Sequence, residues 1–153
     1  MQIIDLETHT DKRGNLTVIE KVIPFEIKRI FYIYGVDGST RGGHRHYKTR
    51  QAAICLKGSC VVLGDKTFKL DSPAKCLLIE PEDYHTMSFF SDDAILMVLA
   101  SEYYNENDYI YEDGCKNKEC ICHRELYHKN NCAWYVVSSK GEVIHLKECS
   151  DYE

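Results

Sequence analysis

Two histidines one residue apart, His44 and His46, stand behind Gly42-Gly43 and ahead of Gln51 in the run Arg41-Gly42-Gly43-His44-Arg45-His46-Tyr47-Lys48-Thr49-Arg50-Gln51. On a strand, residues i and i+2 point to the same face. An extended backbone here therefore gives both imidazoles one surface, and in a small barrel that surface can be the interior. Paired imidazoles at a barrel mouth suit proton transfer near neutral pH, where an unperturbed ring titrates at about 6.5. They also suit metal binding. A surface loop carrying two solvated rings is the plain alternative.

The elements needed to hold such a pair are visible on both sides of it. Residues 16–19 follow an Asp11-Lys12-Arg13-Gly14-Asn15 turn. Residues 27–34 are rich in β-branched and aromatic side chains and stop at Gly35-Val36-Asp37-Gly38. Residues 52–56 and 59–63 flank a Lys57-Gly58 turn, and residues 66–70 alternate polar and apolar as a half-buried strand does. Residues 75–79 and 94–100 complete the set, with turn signals every roughly 8–12 residues. No long amphipathic helix is expected before residue 101. The predicted fold class is all-β, a jelly-roll barrel.

The chain has 153 residues, 44% hydrophobic and 28% charged, the balance of one ordinary globular domain. Its net charge is -5 and its pI about 5.8. That argues against a nucleic-acid partner bound by a basic surface. A local Arg/His cluster can still hold an anionic ligand. The first residues lack a basic segment followed by a long apolar one, and the apolar run at 94–100 is far too short to span a bilayer. The expected address is the cytoplasm, with no membrane partner.

The histidine run resembles the first motif of the cupin superfamily, with Gln51 where a metal-binding Glu stands in that motif and Gly58 at its closing glycine. Glu80-Pro81-Glu82-Asp83-Tyr84-His85 resembles the second motif, with His85 as a third imidazole. An amide in place of the carboxylate removes a charged ligand, so no metal and no other cofactor is expected.

More blocks narrow the likeness: Arg41 to His46, Gln51, Cys55 to Cys60, Leu70 to Pro73, Pro81 to Met87, Met97 to Tyr104 and Asp108 to Ile110. Together they resemble the WxcM-like sugar 3,4-ketoisomerases, over roughly residues 1–111. The resemblance implies a metal-independent cupin, a homodimer with exchanged N-terminal strands, and a dTDP-linked keto-deoxysugar as ligand. The implied reaction moves a carbonyl from C4 to C3 of TDP-4-keto-6-deoxyglucose through an enediol, within deoxysugar and surface-glycan biosynthesis. By the same resemblance His46 carries the proton, His44 is its partner, and Tyr32 reaches a sugar oxygen. Arg13, Arg41, Gln51 and His85 fall among the substrate-binding positions. Two alternatives remain open: a cupin that binds a nucleotide sugar without chemistry, and a metal-dependent cupin enzyme using His44, His46 and His85.

The chain departs from the family form at Arg45, Tyr47 and Arg50. Positions 45 and 47 face away from 44 and 46 on a strand. If the strand continues regularly, Arg50 joins the histidine face, where its charge would lower a nearby imidazole's pKa and help bind phosphate.

Composition shifts after about Tyr111, dividing the chain into a barrel domain, 1–112, and a Cys-rich appendage, 113–153. Of the eight cysteines, Cys55, Cys60 and Cys76 read as buried apolar residues. Cys115, Cys120, Cys122, His123, His128 and Cys132 suit either a structural zinc, free thiols or a redox role. A β-hairpin is expected over 133–146, turning at Ser138-Ser139-Lys140-Gly141.

Overall fold

Alternation in Arg29-Ile30-Phe31-Tyr32-Ile33-Tyr34 sends Phe31 and Ile33 one way and Ile30, Tyr32 and Tyr34 the other. A computed structural model makes this strand β4 (Arg29–Tyr34) and describes residues 1–111 together with β13 (His128–Lys129), β14 (Ala133–Val137) and β15 (Val143–Glu148). The remaining strands of the first 110 residues are β1 (Gln2–Asp5), β2 (Glu7–Asp11), β3 (Gly14–Val18), β5 (Arg41–His46), β6 (Gln51–Lys57), β7 (Cys60–Leu63), β8 (Thr67–Leu70), β9 (Lys75–Ile79), β10 (His85–Ser88), β11 (Ile95–Ala100) and β12 (Tyr109–Ile110). One 3-10 turn, Glu106–Asp108, precedes β12. Among the described residues no helix is long and apolar enough to cross a membrane.

Two five-stranded antiparallel sheets form a jelly roll, ordered β1-β9-β6-β11-β4 and β12-β5-β10-β7-β8. Side chains from both fill the space between them: Ala53, Cys55, Leu77, Ile79, Leu96 and Val98 from the first, Cys60, Val62, Leu70 and Met87 from the second. Each fully buried leucine or isoleucine here stabilises the fold by about 1.5–3 kcal/mol. A second cluster lies on the other face of the first sheet, where Leu6 and Ile23 cover Ala52, Ile54, Cys76 and Leu99. Strand β6 is thus buried on both faces over residues 51–55. That double burial is why Ala52-Ala53-Ile54-Cys55 is continuously apolar rather than alternating.

Among the described residues β2 and β3 pair only with each other, and β2 is exposed along its whole length. The contacts divide the chain into two units, Met1–Ile110 and Tyr111–Glu153. In the second, β14 pairs antiparallel with β13 and with β15. Cys115, Cys120, Cys122, His123 and Cys132 lie outside the described residues.

Candidate active site

Strand β5 runs between β10 and β12, and this placement assembles the site. His44 stands directly across from His85, and His46 across from Tyr109. Cross-strand neighbours share a face, so four rings gather on the inner side of one sheet. Ring centroids lie 5.0 Å apart for His44 and His46, 5.5 Å for His44 and His85, and 4.6 Å for His46 and Tyr109. His46 and His85 are 3% and 1% exposed. Gly42 permits the arrangement: its φ is +85°, and a Cβ there would stand 2.8 Å from the His85 carbonyl oxygen.

His46 is held at both nitrogens. Its Nδ1 lies 3.1 Å from Asp108 Oδ2. An Nδ1–H facing a carboxylate fixes the tautomer and leaves Nε2 as an acceptor. The Gln51 amide nitrogen stands 3.3 Å from that Nε2 and donates to it. Asp108 also accepts from the Lys48 N–H at 2.8 Å, the Thr49 N–H at 3.3 Å and the Thr49 hydroxyl. Burial works to raise its pKa, but these donors, with His46, hold the carboxyl below its ordinary value. Asp108 is therefore an anion that orients the ring, in the manner of the carboxylate of a hydrolase triad.

All three histidines are kept neutral. Burial, then the like charge of His85, pushes His44 down to about 4. Burial, then His44, lowers His46 against the opposing pull of Asp108. Burial likewise lowers His85, whose Nδ1 donates to the Asp83 carbonyl at 3.0 Å. A neutral imidazole is the base form, so the cluster can accept a proton from carbon and return it. The buried His85 Nε2 and Gln51 Oε1 have no hydrogen-bond partner among the described residues. Buried polar groups are seldom left so, and these two positions suit the hydroxyls of a bound sugar. Among the described residues no group of three or more His, Cys, Asp or Glu side chains is arranged to hold a metal ion.

The structure gathers His44, His46, Gln51 and His85, and separates the other expected residues from them. Tyr32 stands apart from the cluster within its own chain: inward Phe31 and Ile33 send it to the outer face of β4, where it is 63% exposed beside Tyr34. Arg50 is a correction. Strand β5 ends at His46 and the chain turns before β6, so the regular alternation stops short of residue 50. Its guanidinium instead meets Glu80 at 2.7 and 2.8 Å, donates to the Pro24 carbonyl and lies over Phe25. Arg13 sits in the β2–β3 turn, paired with Asp11 and exposed. Arg41 is exposed at the start of β5.

Reasoning from sequence missed the orienting role of Asp108, although Asp108-Tyr109-Ile110 was among the recognised blocks. It also missed Arg29. This arginine is the inward residue of β4 nearest the site, and its charge acts on His46 in place of the one expected from Arg50. An open cleft of about 360 Å³ shares Asp108 with the cluster and is lined further by Lys48, Glu102, Tyr103, Tyr104 and Asn105.

The family model FdtA, described as WxcM-like, C-terminal, matches residues 1–117. The chain belongs to this family. Among FdtA-family relatives, a TDP-4-oxo-6-deoxy-alpha-D-glucose-3,4-oxoisomerase of Aneurinibacillus thermoaerophilus is 46% identical over 117 residues, covering 71% of this chain and 84% of the relative. A mutant of the 3,4-ketoisomerase QdtA of Thermoanaerobacterium thermosaccharolyticum, solved with TDP-4-keto-6-deoxyglucose, is 42% identical with a TM-score of 0.68, covering 72% of this chain and 86% of its own. WlaRA of Campylobacter jejuni, a TDP-fucose-3,4-ketoisomerase, is 39% identical with a TM-score of 0.68, over 72% and 88%. The FdtA-family match ends within the chain, and the strands β13 to β15 lie beyond it.

Proposed function

We propose that this chain is a sugar 3,4-ketoisomerase that converts TDP-4-keto-6-deoxyglucose, or a close analogue, to the 3-keto isomer. The observation that carries the reading is the buried, neutral His46. It is oriented by Asp108 through Nδ1 and presents Nε2 among two other imidazoles and two unpartnered polar atoms. His46 Nε2 parts from the Gln51 amide as the sugar enters and takes the proton from C3. The C–H electron pair becomes the C3=C4 double bond of an enediolate, and the C4 carbonyl electrons move onto oxygen. The C3 hydroxyl proton passes to the C4 oxygen, and His46 returns its proton to C4, which leaves a hydroxyl at C4 and the carbonyl at C3. No electrons are gained or lost overall. His44 is the partner ring, and Gln51 and His85 bind the sugar. The reaction belongs to deoxysugar supply for surface glycans, and the cytoplasm is its setting.

The proposed assembly is a homodimer with exchanged N-terminal strands. Among the described residues the β2–β3 hairpin has no further partner strand. Strand β4 is an open sheet edge with Ile30, Tyr32 and Tyr34 exposed at 58%, 63% and 66%. Exposed edges and apolar rows invite a covering strand. Covering them with a second copy's hairpin supports roles for Tyr32 and Arg13 at a shared surface.

Incubating the purified chain with TDP-4-keto-6-deoxyglucose in heavy water, followed by NMR, tests the reaction. Deuterium should enter the ring as the carbonyl shifts to C3, and His46→Asn should abolish both while TDP still binds. Nucleotide binding by the unaltered chain with no exchange would overturn the reading in favour of a binding module.

A further inference from the structure

We infer that Arg29 supplies the positive charge that meets the enediolate oxygen during proton transfer. This rests on the ketoisomerase reading and adds to it the group that stabilises the intermediate.

Arg29 heads β4 on the same face as Phe31 and Ile33, which pack against the barrel core. A guanidinium turned toward an apolar interior is costly unless something compensates its charge. The chain offers little. Nε of Arg29 is buried and has no hydrogen-bond partner among the described residues. Asp108, the site's carboxylate, is already engaged by His46, Lys48 and Thr49. What the chain does supply is orientation. The guanidinium carbon lies 5.2 Å from the Phe31 ring centre and 5.7 Å from that of Tyr104. Such rings attract the cation and set its plane, yet give the buried Nε–H no acceptor.

The same rings tie Arg29 to the reaction centre. Tyr104 lies 5.8 Å from Tyr109, and Tyr109 lies 4.6 Å from His46 and 4.7 Å from His44. A flat, always-charged fork whose buried Nε–H has no acceptor is thus linked to the imidazole that takes the proton through two rings, Tyr104 and Tyr109. Removing a proton next to a carbonyl creates negative charge on oxygen. A preorganised donor matched to that developing charge lowers the barrier without tightening ground-state binding. The acceptor that the chain withholds from Arg29 is the one the reaction creates.

Arg29→Met tests this by separating turnover from nucleotide affinity. Its kcat should fall by about a hundredfold or more, with TDP affinity by calorimetry unchanged within threefold. Deuterium entry at C3 should fall in parallel, and Arg29→Lys should recover part of the loss because the charge returns. Unchanged kcat in a folded Arg29→Met variant would overturn the inference. So would retained kcat with a large loss of TDP affinity, which would make Arg29 a diphosphate clamp. Should Arg29→Met not fold, Tyr104→Leu at an exposed position frees the guanidinium plane. It should lower kcat several-fold at constant TDP affinity, and wild-type kcat in that variant would count against the proposal. Absence of turnover by the unaltered chain would instead sink the ketoisomerase reading itself.

Discussion

His46 and Asp108, 62 residues apart in the chain, meet with Nδ1 and Oδ2 at 3.1 Å. The carboxylate is not free to swing away, because the backbone at Lys48 and Thr49 donates to it as well. The turn after β5 thereby fastens the same anion that orients the ring at the end of β5.

Replacing that anion while keeping its shape should uncouple orientation from folding. Asp108→Asn presents an amide that can donate to Nδ1, which favours the tautomer with its proton on Nε2. The expected loss in kcat is about two to four orders of magnitude, with TDP affinity within a few-fold. Steady-state assays beside calorimetry decide it: near-normal kcat would mean the tautomer is set elsewhere.

Depressed imidazole pKa values make stability depend on acidity. His44 titrates at about 4 in the fold and at 6.5 when unperturbed. The unfolded chain therefore binds more protons between those values. Stability is fully present above about pH 6.5 and is lost as pH falls toward 4, by about 3 kcal/mol for this ring alone. His46 and His85 shift the same way and add to the loss. Urea unfolding from pH 8 to 4 should show this slope, and His44→Asn should flatten it. An unchanged slope in the variant would assign the acid sensitivity to other groups.

Arg50 serves the scaffold. Its contacts with Glu80, Pro24 and Phe25 are half exposed, where ion pairs contribute little. Arg50→Ala should cost about 1 kcal/mol or less in a thermal or urea melt and leave kcat and TDP affinity within twofold. A tenfold weakening of TDP binding would restore it to the ligand site.

The two glycines ahead of His44 should respond unequally to alanine. Both have positive φ, +85° at Gly42 and +75° at Gly43, which carries a strain of about 1 kcal/mol or more for an L side chain. Only at Gly42 does the new Cβ also press on backbone, at 2.8 Å from His85 oxygen and 3.2 Å from the Thr86 Cα. Gly42→Ala should therefore lose more stability than Gly43→Ala, and should lower kcat by pushing β5 from β10. Equal melting temperatures would mean β10 yields without resistance.

Much of this was legible in the residues. The strand spans over 27–34, 52–56, 59–63, 66–70, 75–79 and 94–100 meet β4, β6, β7, β8, β9 and β11, since turn glycines and β-branched runs are local signals. Spacing of two placed His44 and His46 on one inner face. The same rule, applied to Phe31 and Ile33, turns Tyr32 outward and Arg29 inward; the expectation for Tyr32 rests on likeness to a family and not on that alternation. Arg50 was misplaced because alternation holds only while a strand lasts, and β5 stops at His46. Asp108 was beyond local signals. Its role depends on a 3-10 turn that brings it back to β5 from the far end of the barrel domain.

One sheet holds His44, His46 and His85, while the other contributes Gln51 and the inward Arg29. The cluster thus spans two walls, whose separation is set by Leu77, Leu96, Val62 and their neighbours. A methyl gained or lost in that filling shifts one wall against the other, and with it the contact between Gln51 and His46. Laboratory evolution toward a bulkier or differently configured sugar has a lever there, far from any polar contact.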